Sequence, residues 1–185
     1  MNRIFPVLAL LAFVVLAIAM ILGLCIGDLR NDPTGAAMQT KRIHFLAGLT
    51  AALSVVLVES ILITYFIGTS RWCREVSETY GLDAEYIVRG NRLKRGAFPY
   101  AVTGMLIAVG VAALGAAADP SAAIQTAAPF GLAWRDMHLT GALLGTAFIG
   151  LSFCMLWLKI DQHRLLIADI LEEVRKIRVA KGLEV

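Results

Sequence analysis

Four long apolar runs constrain the fold of this chain more than any other feature of its sequence. They cover residues 5–27, 43–68, 98–118 and 138–158, and each has about the 20 residues that an α-helix needs to cross the hydrocarbon core of a bilayer. In lipid, only helices and closed barrels satisfy every backbone polar group, and the runs lack the alternation of barrel strands. The sequence therefore predicts an all-α, polytopic membrane protein with a four-transmembrane-helix bundle.

Composition agrees with membrane insertion and excludes several other classes of protein. Of the 185 residues, 58% are apolar and 17% are charged, whereas soluble domains average about 45–50% apolar and about 25% charged residues. These values exclude a disordered chain and a nucleic-acid-coating protein, so membrane lipid is the expected partner and nucleic acid is not. The three cysteines show no CxxC or Cys/His spacing, so no zinc finger and no redox dithiol is predicted.

The distribution of Lys and Arg orients the predicted helices. Thirteen of these residues lie at the N-terminus, in the 69–97 segment and after the fourth run, whereas four lie in the two remaining loops. Because cytoplasmic loops of membrane proteins carry the excess of Lys and Arg, both termini and the 69–97 segment are predicted to be cytoplasmic. The loops around 28–42 and 119–137 are then predicted to face outward.

The chain is expected to divide into a membrane domain, residues 1–160, and a cytoplasmic C-terminal helix, residues 161–185. Within the first, residues 69–97 are predicted to form a helical hairpin that turns near Gly81, with Asp83 capping a short helix towards Leu93. Each half of the chain contains a proline, then an acidic residue, then a loop with a proline, and then a histidine. This order suggests a duplication of a two-helix unit.

The tail has the period of an amphipathic helix. Apolar residues recur every seven positions, which gives about three heptads. One interpretation is that this face folds back on the 69–97 hairpin, and the other is that it contacts a different membrane subunit or a second copy of the chain. The residues predicted for a partner contact are Ile167, Ile170, Val174 and Ile177.

Two histidines are the candidate cofactor ligands. His44 and His138 open the second and fourth runs, so both are expected at the same level of the bundle. A rotation of about 100° per residue places Gly48 on the face of His44, and Gly141 and Gly145 on that of His138. Two neutral imidazoles from separate helices could ligate haem b iron while the small residues make room for the porphyrin. The alternative is that each histidine only reaches interfacial water.

Glu59 is the only ionisable acid or base deep inside any run. It follows His44 by fifteen residues, about 22 Å along a helix, with Ser60 beside it and Ser54 and Thr64 about one turn away. An intramembrane carboxyl group is costly to insert and often marks a proton or ion pathway. The alternative is a protonated carboxyl hydrogen-bonded to a neighbouring helix.

Two segments at the ends of the hairpin carry the resemblance of the chain to other proteins. Residues 65–72 read Tyr-Phe-Ile-Gly-Thr-Ser-Arg-Trp, and residues 92–99 read Arg-Leu-Lys-Arg-Gly-Ala-Phe-Pro. With the four-run architecture, these segments resemble uncharacterised bacterial four-span inner-membrane proteins. The resemblance implies the bacterial inner membrane and no activity.

No catalytic motif is present: the sequence contains no GxSxG, HExxH, GxGxxG or Walker pattern. The chain is therefore expected not to be an enzyme. The first functional hypothesis is an accessory or scaffold subunit of a larger membrane complex. The alternatives are a b-type cytochrome electron-transfer subunit with His44 and His138 as ligands, and a small proton or cation pathway centred on Glu59.

Overall fold

The computed structural model describes residues 1–119 and 129–183, and it confirms the predicted all-α, four-helix fold class. The helices are α1 (Ile4–Leu24), α2 (Ala36–Tyr80), α3 (Glu85–Ala117) and α4 (Trp134–Ala180), with a short 3₁₀ turn at Pro129–Gly131. Each α-helix contains a stretch long and apolar enough to cross a membrane. The middle of the predicted 119–137 loop and the last two residues of the predicted tail lie outside the described residues.

The turn between α2 and α3 forms where it was predicted, but the short helix after it is not separate. Gly81 ends α2 in the left-handed region, with φ of 63°, a conformation that glycine adopts without steric cost. The Asp83 carboxylate accepts a hydrogen bond from the Glu85 N–H at 2.8 Å. Helix α3 then continues through Pro99 to Ala117, so the prediction of a short helix ending near Leu93 is wrong. The missing N–H of Pro99 costs one helical hydrogen bond, and the packed turns on both sides hold the helix together.

Three helices extend well beyond their apolar runs at the same end of the bundle. Helices α2, α3 and α4 have 45, 33 and 47 residues, and the predicted domain boundary at residue 160 falls inside α4. We call the end formed by the α2–α3 turn and the last turns of α4 the extension end. The opposite end, which carries His44 and His138, is the histidine end.

The two halves of the chain pack in similar ways. Helix α1 packs on α2 and α3 packs on α4, α2 also packs extensively on α3, and α2 and α4 make a small contact across the bundle. A shift of 94 residues carries His44 to His138, and it carries each buried position of α2 in its apolar run onto a buried position of α4. These positions are Ala51, Val55, Val58, Glu59, Leu62 and Phe66 in α2, and Gly145, Ile149, Ser152, Phe153, Leu156 and Ile160 in α4.

The tail packs on the hairpin of its own chain. Leu166 and Ile170 of α4 are fully buried together with Cys73 of α2. Ile167 and Val174 pack against the same cluster, and Ile177 is half-buried. This arrangement corresponds to the first of the two interpretations of the heptad pattern. The apolar side chains of Ile167, Ile170 and Val174 therefore pack against other residues of the same chain.

Candidate functional site

His44 and His138 face each other at the histidine end of the bundle. Their ring centroids lie 6.1 Å apart with an angle of 70° between the ring planes, although 94 residues separate them in the sequence. Both side chains are half-buried. The sequence predicts that the two histidines lie at one level, because each begins an apolar run. The structure brings them into one site.

Each imidazole is held by a backbone carbonyl of the preceding helix. Nδ1 of His44 lies 2.8 Å from the Ala19 carbonyl oxygen, and Nδ1 of His138 lies 3.2 Å from that of Val111. A carbonyl oxygen only accepts hydrogen bonds, so each Nδ1 carries the proton and donates it. In the neutral ring this leaves Nε2 with a free lone pair, which is the form that ligates metals.

A glycine lies against each histidine ring and makes this approach possible. A Cβ on Gly23 would come within 2.8 Å of His44 Cε1, and a Cβ on Gly115 would come within 3.0 Å of His138 Cε1. Neither glycine was predicted from the sequence to contact a histidine. The signal was available, because a shift of 92 residues carries Gly23 onto Gly115, close to the shift that relates the two histidines.

The small residues on the faces of the two histidines do not all serve the role predicted for them. A Cβ on Gly145 would lie 2.8 Å from Ile107, and one on Gly141 would lie 3.0 Å from Leu114. These two glycines therefore admit side chains of α3 into the α3–α4 interface and leave no slot there. A Cβ on Gly48 would meet nothing within 4 Å, so no neighbouring side chain packs closely against this glycine.

An ion pair joins two helices next to the histidines. Lys41 Nζ lies 2.9 Å from Asp119 Oδ1, and both side chains are about three-quarters buried. Lys41 precedes His44 by three residues, so it lies on the same side of α2. The pair ties the start of α2 to the residues after α3 at the histidine end.

Glu59 is fully buried near the middle of the bundle, at 0% exposure, and its partner comes from a distant helix. The Ser152 hydroxyl on α4 lies 3.0 Å from Glu59 Oε1 and 3.2 Å from the Tyr100 carbonyl oxygen on α3. Three helices therefore meet at this carboxyl group. Gly104 permits the contact, since a Cβ there would lie 2.8 Å from Oε1. The predicted neighbours Ser60 and Thr64 are exposed and bond elsewhere.

The third histidine, His163, was not predicted as a site residue, and it is also buried. His163 is 0% exposed, and its ring packs edge-on against Tyr65 and Phe66 at centroid distances of 5.7 and 5.4 Å. Its Nε2 lies 3.4 Å from the Thr69 hydroxyl. A histidine between two aromatic residues in the sequence-distant α2 could not be anticipated from the heptad pattern alone.

Within the part of the chain that the structure describes, no three His, Cys, Asp or Glu side chains converge on a common point that could hold a metal ion. The histidine pair offers two ligands, so the remaining ligands of any metal would have to come with the cofactor. In comparisons with known proteins, the chain matches no protein-family model, and no curated protein or solved structure shows significant similarity to it.

Proposed function

We propose that the chain is a non-enzymatic subunit of the bacterial inner membrane that holds one haem b between His44 and His138 and passes electrons. The separation of the two rings carries this proposal. If a haem binds here, His44 and His138, which come from separate helices, would be the two residues that hold its iron. The observed centroid separation is 6.1 Å.

The anchoring of the two rings supports the same function. A metal-ligating histidine usually donates its other ring N–H to a carbonyl or carboxylate, which fixes the tautomer and orients the ring. Ala19 and Val111 provide these acceptors from α1 and α3, and Gly23 and Gly115 let the rings come close to these helices. When bound, a haem supplies one-electron redox chemistry; the protein supplies both axial ligands and their orientation.

The visible absorption spectrum of the purified full-length chain tests the proposal. We expect a Soret band and reduced-minus-oxidised α and β bands, with about one haem per chain. The matched control is His163→Gln, which removes the remaining histidine and is expected to keep the spectrum. A colourless preparation from haem-sufficient cells would contradict the proposal.

A second candidate is an accessory subunit without a redox centre, and exposed apolar residues at the extension end favour it. Val88, Leu165 and Leu171 are 53%, 48% and 52% exposed, and they lie beyond the apolar runs, where lipid tails would not cover them. Large apolar side chains in such positions often mark contacts with other proteins. The partner would be another membrane subunit or a second copy of this chain.

Charged substitutions at this surface test the second candidate. The double variant Leu165→Glu/Leu171→Glu is expected to lower the mass of the complex extracted from native membranes by at least one subunit. Leu57→Ala, at an exposed position inside an apolar run, is the matched control and should leave that mass unchanged. An unchanged mass for the double variant would contradict a partner at this surface.

The proposed orientation, with both termini in the cytoplasm, gives a prediction for thiol labelling. Cys25 is exposed at the end of α1, so a membrane-impermeant maleimide is expected to label it in intact spheroplasts of a Cys154→Ser background. Cys73 is buried, and burial raises the pKa of its thiol to about 11. Because the thiolate is the reactive form, Cys73 is expected to stay unlabelled even after permeabilisation. Labelling of Cys25 only after permeabilisation would reverse the orientation.

A further inference from the structure

Three buried side-chain atoms have no hydrogen-bond partner among the described residues, and they share one region of the bundle. They are Glu59 Oε2, His163 Nδ1 and Ser77 Oγ, and each residue is at most 1% exposed. Buried polar atoms in folded proteins almost always have a partner, which is often an ordered water molecule. All three lie between the middle of the bundle and the extension end, and none lies on the side of the histidine pair.

These atoms belong to a set of buried polar positions on the inner faces of α2 and α4. The interval between Glu59 and Ser77 on α2 spans about 27 Å at about 1.5 Å per residue. The buried Ser70 lies between them, with its hydroxyl 3.4 Å from the Gly90 carbonyl oxygen. We call this set the polar column, and its members are Glu59, Ser70, Ser77, Ser152 and His163.

The two halves of the chain differ in the side chains packed beside Glu59. At the α1–α4 interface, Phe5 and Phe153 pack edge to face with ring centroids 6.2 Å apart. The shifts that relate the two halves carry Phe5 onto Ala97 and Glu59 onto Phe153. The equivalent α2–α3 interface therefore has a methyl group and a carboxyl group in the places of two phenyl rings. This pair is smaller and more polar than the two phenyl rings.

The hydrogen bonds of Ser152 indicate the protonation state of Glu59. The Ser152 hydroxyl has one proton, yet it lies within hydrogen-bond distance of both Glu59 Oε1 and the Tyr100 carbonyl oxygen. Both contacts are satisfied when a neutral Glu59 donates to Ser152 and Ser152 donates to Tyr100. No charged side chain hydrogen-bonds Glu59 among the described residues, and an ionised carboxylate buried without a charged partner is costly.

We propose that the polar column is a one-sided hydrated path through which protons from the extension end reach Glu59. The step is a proton transfer between water and the Glu59 carboxyl group, so no electron moves and no covalent bond other than O–H changes. Two buried apolar layers separate Glu59 from His163: Leu62 with Leu156, and Phe66 with Ile160, one turn further along each helix. These layers limit the rate at which water passes.

The path ends at Glu59. On the side of the histidine pair, the next buried positions are Val55 and Ile149, which offer no polar side-chain atom. The groups that face Glu59 are Ser152 from α4 and the backbone of Tyr100 and Gly104 from α3. The groups that face His163 are Tyr65, Phe66 and Thr69, all from α2.

Infrared spectroscopy of the full-length chain in liposomes tests the path. A protonated carboxylic acid gives a C=O stretching band well separated from the carboxylate bands, and transfer to D₂O shifts it. We expect one such band that disappears in Glu59→Gln and changes frequency in Ser152→Ala. In His163→Leu, its deuterium shift is expected to slow by about tenfold, because a polar step of the path is lost.

Two further variants keep the test decisive. Thr64→Ala removes an exposed hydroxyl at a similar depth that bonds only its own helix, and it should leave the exchange rate unchanged. Leu156→Ala thins one of the two apolar layers and is expected to accelerate the exchange, which tests the path even if His163→Leu does not fold. A wild-type spectrum without the Glu59 band, or the same rate in Leu156→Ala as in the wild type, would overturn the proposal. Neither result depends on haem.

Discussion

His138→Ala and His44→Ala are each expected to reduce the haem content of the purified chain by at least about tenfold. In the proposed site the two rings form one ligand pair, so loss of either would leave a porphyrin with a single protein ligand. Changes to residues that merely orient metal ligands already cost about 10–100-fold in affinity. Because each histidine has an equivalent carbonyl partner and an equivalent glycine beside it, the two variants should lose haem to a similar extent.

Haem content is measured from the pyridine haemochrome spectrum and normalised to protein concentration. His163→Gln is the control for loss of a histidine, and Thr50→Ala is the control for a change near the histidine end, because Thr50 is exposed and bonds only the Leu46 carbonyl oxygen. The substitutions remove few packing contacts, so the variants are expected to remain folded. Wild-type haem content in both alanine variants would show that the iron is held elsewhere.

Gly104→Val is expected to be among the most destabilising single substitutions in the bundle. A Cβ at this position would lie 2.8 Å from Glu59 Oε1, and the additional methyl groups of valine would enter the contact among α2, α3 and α4. Overpacking of this kind typically costs about 1–3 kcal/mol. Separation of Glu59 from Ser152 leaves buried polar atoms unsatisfied and adds about 1–3 kcal/mol.

The matched control is Gly110→Val on the same helix, where a Cβ would meet nothing within 4 Å. Both variants introduce the same β-branched residue into α3, so the difference between them isolates the crowding at Glu59. Thermal unfolding in detergent micelles provides the measurement. Equal melting temperatures for the two variants would contradict the three-helix contact at Glu59.

The four spans could be predicted because hydrophobic length is a property of the local sequence. The turn at Gly81 was also predicted, whereas the length of α3 was not, because packing carries this helix through Pro99. The equal level of His44 and His138 could be predicted because each residue begins an apolar run. Their distance did not, because it depends on how α1 and α3 hold each ring through Ala19 and Val111.

The partner of Glu59 shows the limit of local reasoning most clearly. Ser60 and Thr64 are its neighbours in sequence, yet both point away, and Ser152 supplies the hydrogen bond across 93 residues. The similarity of the two halves gives a partial explanation. A shift of 94 residues makes Ser152 the equivalent of Val58, which directly precedes Glu59 on α2. The order of landmarks in the two halves was visible in the sequence, but its consequence for this contact required the packing of α2 against α4.

The most direct test of the central claim is the low-temperature electron paramagnetic resonance spectrum of the oxidised, purified chain. Two axial imidazoles produce a six-coordinate, low-spin ferric haem, so we expect a low-spin signal that accounts for about one iron per chain and is absent from His44→Ala and His138→Ala. A purely high-spin signal, or no haem iron at all, would contradict the assignment of His44 and His138 as a haem-ligating pair.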